Sequence, residues 1–328
     1  MSKPRVLCML PLDTASEGFQ RLRETADIVI EPPDRSRLIE LIEQFDVLWG
    51  HVDLKVDRDV LDRAPKLKVI NTASTGTDHI DKQAAADRGI RVLSITTDYG
   101  LLDRFTATAE CAWTLLLASM RHLRPATQHV LEGGWEMGRF VGQQLSDSTL
   151  GVLGVGRLGR MVCQYGQAFR ARVLGCDLKP FNEPGVEAVD FHTLLAESDA
   201  ISIHIHMLPE NYHLFDATTL SKMKRGAVLV NTSRGDLIDE TALMAALDSG
   251  QLSSFAADVL HDEWRTDMGK SPLVTYAQTH DNVIISPHMG GATQKSIDEA
   301  RDFSARKLAN FLQTGEELTW PTGIDPLW

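Results

Sequence analysis

Three glycines in the order Gly154-x-Gly156-x-x-Gly159 stand between a strand-like apolar run at 149–154 and an amphipathic helical period at 157–169. This stretch constrains the fold more than any other, because each glycine answers a different steric demand. Gly154 permits a tight turn out of the strand, Gly156 lets the main chain approach a pyrophosphate, and Gly159 lets helix and strand pack closely. Arg157 and Leu158 fall in the first helical turn, where unpaired N–H groups favour an anion. The next strand-like run, 173–176, is followed at once by Asp177, whose carboxylate can accept hydrogen bonds from ribose hydroxyls. Strand, glycine turn, helix, strand and terminal acid in that order point to a dinucleotide site rather than to an ordinary tight turn. The acid repels a ribose 2′-phosphate, so NAD is expected in preference to NADP; Lys179 nearby softens that preference.

Short apolar runs alternate with helical periods twice along the chain. The first series has strand-like runs at 6–10, 27–30, 47–50, 67–71 and 90–93, with helical stretches near 16–24, 36–44, 57–63 and 81–88. The second has runs at 149–154, 173–176, 200–205, 227–231, 254–259 and 283–286, with helices near 157–169, 190–196, 218–223 and 240–248. Such alternation predicts two parallel sheets with helices on both faces. A helix at 106–121, almost wholly apolar at 111–118, must be buried on most sides, and a subunit interface in a homodimer would bury it. A last helix near 293–312 follows the final strand and returns to the first domain. Ligands are expected where the C-terminal strand ends of the sheets open.

The 328 residues suffice for two domains, and 43% hydrophobic with 24% charged residues is a globular composition. A net charge of -12 argues against a nucleic-acid partner. No apolar run reaches membrane-spanning length, no signal peptide precedes the strand at 6–10, and a cytoplasmic location is expected. Cys8, Cys111, Cys163 and Cys176 form no C-x-x-C pair and sit in apolar patterns, so they read as structural thiols, with no metal site.

Three later strands of the second series each end in polar residues: Asn231-Thr232-Ser233-Arg234, then Asp258 to Glu263, then Pro287-His288-Met289-Gly290-Gly291. Strand ends on one edge of a parallel sheet converge, so an arginine, a carboxylate and a histidine should meet beside the dinucleotide. The trio suits hydride transfer to a 2-oxo acid. The carbonyl oxygen gains negative charge and a proton as hydride arrives; a histidine can supply that proton while a carboxylate behind its ring stabilises the imidazolium. Arg234 can grip a substrate carboxylate through two N–H groups.

On four segments, 151–159, 231–239, 256–263 and 286–293, within a span of about 45–312, the sequence resembles the D-isomer-specific 2-hydroxyacid dehydrogenases. The resemblance implies catalytic roles for Arg234, Glu263 and His288. It implies NAD contacts at Thr108, Gly154, Gly156, Arg157, Leu158, Gly159, Asp177, His206, Thr232, Ser233, Asp258 and Gly291. The segment 71–81 is similar to the family's substrate loop, with main-chain N–H groups near Ser74, Thr75 and Gly76 binding the substrate carboxylate as a nest. It doubles as the start of an Asp-capped helix. The implied architecture is a Rossmann NAD-binding domain at 102–291 inserted in a flavodoxin-like substrate domain at 1–101 and 292–328. The implied activity is reduction of a small 2-oxo acid such as glyoxylate or hydroxypyruvate, by a homodimer. D-3-phosphoglycerate dehydrogenase is the alternative within the family, and an NAD(H)-sensing corepressor-like scaffold the alternative outside it. The chain ends soon after its last helix, which suits the shorter reductases. No basic residue adjoins Ser74–Gly76, which ranks phosphorylated acids lower, and Thr75 replaces the lysine of phosphite dehydrogenases. Trp264 stands where the family has a proline after the glutamate, His204-Ile205-His206 replaces its His-x-Pro, and 96–105 is longer than is common.

Overall fold

Val, Ile and Leu runs bounded by helix-capping Asp, Ser and Thr residues dictate the local structure. A computed structural model describes residues 3–264 and 267–321. Met1, Ser2 and 322–328, the outer limits of the expected substrate domain, lie outside the described residues, as do Arg265 and Thr266. Side chains of Ser16, Asp34, Asp57, Asp81, Asp190, Asp216, Asp239 and Thr293 each accept a hydrogen bond from a main-chain N–H in the first turn of the helix they precede. Each cap satisfies a donor that the helix itself leaves unpaired. The chain divides into two units, Met1–Phe105 with Ala292–Trp328, and Thr106–Gly291. The first limit falls at Phe105 rather than at residue 101, because Leu102 and Phe105 belong to a cluster with Ile95, Leu101, Ala300 and Phe303.

In the first unit, β1 (Arg5–Cys8), β2 (Asp27–Ile30), β3 (Val47–Trp49), β4 (Val69–Asn71) and β5 (Arg91–Leu93) form a parallel sheet in the order β2-β1-β3-β4-β5. Side chains alternate between its faces, as the strand period requires. Leu7, Leu48 and Ile70 pack on one side. Val6, Cys8, Trp49 and Leu93 pack on the other, beneath Leu22 and the Ala305–Leu308 stretch of the long last helix. The order is that of a flavodoxin-like doubly wound sheet. The same helix carries Lys307, which is buried and bonded to Asp98 Oδ2 and to the Ser94 carbonyl, each at 2.8 Å.

In the second unit, β6 (Thr149–Leu153), β7 (Arg172–Cys176), β8 (Val186–Ala188), β9 (Ala200–Ile203), β10 (Ala227–Asn231), β11 (Leu252–Ala257) and β12 (Val283–Ile285) are parallel, in the order β12-β11-β10-β9-β6-β7-β8. This is the Rossmann order with one further strand, and it reverses direction between β6 and β9. β8 is only three residues long, too short for its alternation to register, and escaped the sequence reading, as did helices at Leu123–Leu131 and Pro272–Thr279. The apolar helix Ala107–Met120 is accounted for within this unit: Ala109, Ala112, Trp113 and Leu116 pack on Val228, Val230 and Ala256 of the sheet. Its apolarity therefore gives no support to a subunit interface. Among the described residues, no helix is long and apolar enough to cross a membrane.

Candidate active site and dinucleotide cradle

The glycine turn leaves β6 at the point where the sheet changes direction. Gly154 has φ +90°, and a Cβ there would stand 2.6 Å from the His204 carbonyl oxygen after β9. A Cβ on Gly159 would stand 1.9 Å from the Gly154 carbonyl oxygen, so neither position admits a side chain. Gly156 caps helix Arg157–Ala168, and nothing lies within 4 Å of where its Cβ would be. The turn thus has two glycines forced by the protein's own packing and a third that faces open space at a helix N-terminus. That is the cradle a pyrophosphate requires. Asp177, at the end of β7, accepts from Val155 N–H at 2.8 Å and Lys179 N–H at 2.9 Å, one bond to each carboxylate oxygen. Both oxygens keep acceptor capacity for ribose hydroxyls. Thr232 Oγ1 is buried without a partner, and Thr108 flanks Gly290 and Gly291. These residues fit a dinucleotide.

Other expected contacts have partners of their own. Ser233 Oγ donates to the Ile203 carbonyl at 2.8 Å, tying the ends of β9 and β10 together. His206 is exposed, and its carbonyl accepts from Asn211. Its neighbour His204 is the ring that the protein wraps: Nε2 meets Ser202 Oγ at 2.8 Å, Nδ1 is buried, and burial pushes its pKa down to about 4. It is therefore a neutral wall at the switch point. Asp258 has a part that spacing did not reveal. Its buried carboxylate accepts from Ser286 Oγ at 2.5 Å, Met289 N–H at 2.9 Å and Gly290 N–H at 2.6 Å. These bonds fix the loop on both sides of His288.

His288 itself has φ +51°, an uncommon conformation for a non-glycine residue, and the Asp258 brace is what holds it there. Its Nδ1 meets Glu263 Oε1 at 2.8 Å. Glu263 is largely buried while the imidazole is half exposed, leaving Nε2 as the ring atom directed away from the carboxylate. The bond to Glu263 raises the His288 pKa; burial opposes this, and the charge of Arg234 is near enough to lower it too. Arg234 follows β10 in extended backbone, held by Asn231, whose amide donates to the Arg234 carbonyl at 2.8 Å and whose oxygen accepts Ser233 N–H at 3.0 Å. Gly235 presses so closely on the Leu260 main chain that no side chain fits. The ends of β10, β11 and β12 thus bring Arg234, Glu263 and His288 into one constellation: a fixed cation beside an imidazole whose protonated form a carboxylate favours.

The 71–81 segment of the first unit is described on its own. The carbonyls of Ser74, Thr75 and Gly76 are all tied back, accepting from Ile95 N–H at 3.3 Å, Thr96 Oγ1 at 2.6 Å and Ser74 Oγ at 2.6 Å. Among the described residues no acceptor takes the N–H groups of Thr75 and Gly76. Asp81 also caps helix Lys82–Asp87 through Ala84 N–H at 2.8 Å. The helix start expected here is thus observed.

Residues 113–290 match the family model described as D-isomer specific 2-hydroxyacid dehydrogenase, NAD binding domain. A hydroxypyruvate reductase of Thermotoga maritima is 34% identical over 297 residues, covering 90% of this chain and 94% of that protein. A D-3-phosphoglycerate dehydrogenase of Methanocaldococcus jannaschii is 35% identical over 286 residues, covering 85% of this chain; the chain spans only 52% of that relative's length. The D-lactate dehydrogenase of Aquifex aeolicus, solved with NAD and lactic acid, superposes with a TM-score of 0.82 at 27% identity, covering 97% of this chain and 100% of that one. The chain belongs to the D-isomer-specific 2-hydroxyacid dehydrogenase family. Its members are NAD-dependent oxidoreductases that act on CH–OH groups.

Proposed function

We propose that the protein reduces a small unphosphorylated 2-oxo acid, such as glyoxylate or hydroxypyruvate, to the 2-hydroxy acid, of D configuration where C2 becomes a stereocentre. The observation that carries this reading is the imidazole of His288, paired through Nδ1 with Glu263 and lying within the field of Arg234. When bound, NADH supplies the hydride to C2. Arg234 binds the substrate carboxylate and polarises the carbonyl, His288 delivers a proton from Nε2 to the carbonyl oxygen, and Glu263 stabilises the imidazolium until then. The first unit serves as the substrate domain, its Thr75 and Gly76 N–H groups offering a nest to a carboxylate. Against a phosphorylated acid stands the lack of a basic residue adjoining Ser74–Gly76 in the sequence; Lys307, which reaches Ser94, is committed to Asp98. Initial rates with glyoxylate, hydroxypyruvate, pyruvate and phosphohydroxypyruvate, followed by NADH absorbance, test this. Preference for the phosphorylated acid would contradict the substrate class, and no turnover on any of them would return the scaffold reading.

The pH profile has a definite sign. Reduction needs protonated His288, so kcat/KM holds below its raised pKa and falls as pH rises through it. Glu263→Gln removes the largest raising influence while burial and Arg234 continue to lower the pKa. The falling limb should move to lower pH, and an unmoved limb would dissociate Glu263 from the titration.

We assign NAD as the cofactor on the position of Asp177, with Gly154, Gly156, Arg157, Leu158, Gly159, Thr108, Thr232, Asp258 and Gly291 around it, and with His206 and Ser233 at the margin. Hydrogen bonds to a charged group contribute about 1.5–3 kcal/mol. Asp177→Ser should therefore lower the NADH-to-NADPH preference in kcat/KM by roughly ten- to a hundredfold, and an unchanged ratio would remove Asp177 from the choice.

We also infer a cytoplasmic homodimer. Four apolar side chains within one short stretch of chain, Leu131, Trp135, Met137 and Val141, are each more than three-quarters exposed. Light scattering should give twice the chain mass for the native protein and the single mass for a Leu131→Glu, Met137→Glu variant; a monomeric native protein would overturn the inference.

A further inference from the structure

Arg234 and Glu263 are carried by different loops, and their relative placement depends on what joins those loops. Gly235 and the Leu260 main chain meet in van der Waals contact, with a would-be Cβ only 2.0 Å from the Leu260 carbonyl carbon. That contact sets a distance of approach, but it leaves the loops free to slide. At His261, the next residue, two polar ties cross it. His261 Nδ1 meets Asp236 Oδ1 at 2.5 Å, and His261 N–H donates to Glu240 Oε1 at 3.1 Å. Asp236 lies in the short turn Gly235–Leu237 directly after Arg234 and Gly235, while His261 lies shortly before Glu263.

We propose that Asp236 and His261 form a clasp that registers the Arg234 turn against the Glu263 loop, making both of them positioning residues for the reduction. The proposal rests on the reductase reading given above. Behind the clasp, His213 donates its N–H to the Asp236 carbonyl at 2.9 Å, and its ring stands edge-on to that of His261 at 6.5 Å. Tyr212 stacks on His213 at 4.0 Å. The carboxylates of Asp236, Glu240 and Asp262 face His261, and the hydrogen bond to Asp236 does most to raise the pKa of its imidazole, against the opposing effect of burial.

Magnitudes separate positioning from stability. Both side chains are about half exposed, and an exposed ion pair contributes little to folding. A displacement of about 1 Å at a substrate-gripping group, by contrast, can cost about a hundredfold in rate. Asp236→Asn and His261→Asn should each raise KM for the preferred 2-oxo acid by about tenfold, because a grip made alike in ground and transition states appears in KM. Each should also lower kcat by up to about tenfold, because Arg234 also polarises the carbonyl. The melting temperature and NADH affinity should stay as in the native protein. The double variant should be no worse than either single one, since the two side chains act as one unit. Asp236→Glu should recover part of the loss.

Additive effects, native KM in both single variants, or a joint fall of kcat, NADH affinity and melting temperature would overturn the clasp. Amide hydrogen exchange of Arg234–Leu237 decides it without any turnover. Faster exchange in both variants supports it, and native rates in both overturn it. A native protein that reduces none of the acids would instead sink the reductase reading.

Discussion

Replacing His288 with alanine should lower kcat for 2-oxo acid reduction by about 10²–10⁴-fold, the contribution of a positioned general acid, and leave NADH affinity essentially unchanged. The separation of the two effects follows from how the loop is built. Its dinucleotide side, Gly290 and Gly291, is held by main-chain bonds from Met289 and Gly290 to the buried Asp258 carboxylate. Those bonds do not involve the imidazole. The side chain is held separately, through Nδ1 to Glu263. Alanine keeps the unfavourable positive φ at this position, so His288→Asn is the better-matched control. Asparagine tolerates left-handed backbone and cannot deliver a proton. Both variants should show the same loss of kcat in stopped-flow reduction and the same NADH dissociation constant by fluorescence. Retained turnover would remove His288 from proton transfer, and a parallel loss of NADH binding would make it a structural residue.

Arg234→Ala should cost about 2–5 kcal/mol in transition-state binding, the range for truncating one partner of a hydrogen-bonded charge pair, or roughly 30- to 5,000-fold in kcat/KM. Loss of the carboxylate grip raises KM, and loss of carbonyl polarisation lowers kcat. Arg234→Lys restores charge without the planar fork and should recover only part of the activity. Full recovery with lysine would reduce the role to simple attraction. A second consequence has the opposite sign to that of Glu263→Gln. Arg234 lowers the His288 pKa, so its removal should move the falling limb of the pH profile to higher pH. Steady-state rates across pH, with NADH saturating, read all of these effects together.

Much of this was legible in the sequence because strict geometry leaves few residue choices. Gly154 and Gly159 are dictated by carbonyl oxygens that would collide with any side chain, and the two parallel sheets by apolar runs buried on both faces. That Arg234, Glu263 and His288 come together was legible because they follow successive strands of one sheet edge. What escaped was encoded in pairs distant in sequence. Asp258 reads in the sequence as a cofactor contact; that its carboxylate also braces the His288 loop depends on bonds to residues about thirty positions away. Asp236 and His261 stand 25 positions apart in the sequence, and only the fold shows that they meet. β8, three residues at the sheet edge with mostly exposed side chains, is too short and too little buried to announce a strand. The apolar helix Ala107–Met120 suggested a subunit contact; hydrophobicity alone could not tell that surface from the sheet of its own unit.

The central claim is direct hydride transfer to C2 of a small 2-oxo acid, and isotope transfer tests it most directly. Each stereoisomer of NADH deuterated at C4 should be incubated in ordinary water with the protein and hydroxypyruvate, whose product has a stereocentre at C2, and the hydroxy acid analysed by NMR and chiral chromatography. One of the two isomers should deliver deuterium to C2 of a D-configured product, stoichiometric with NADH oxidised. Product without deuterium from either isomer, or product of the opposite configuration, would contradict the account.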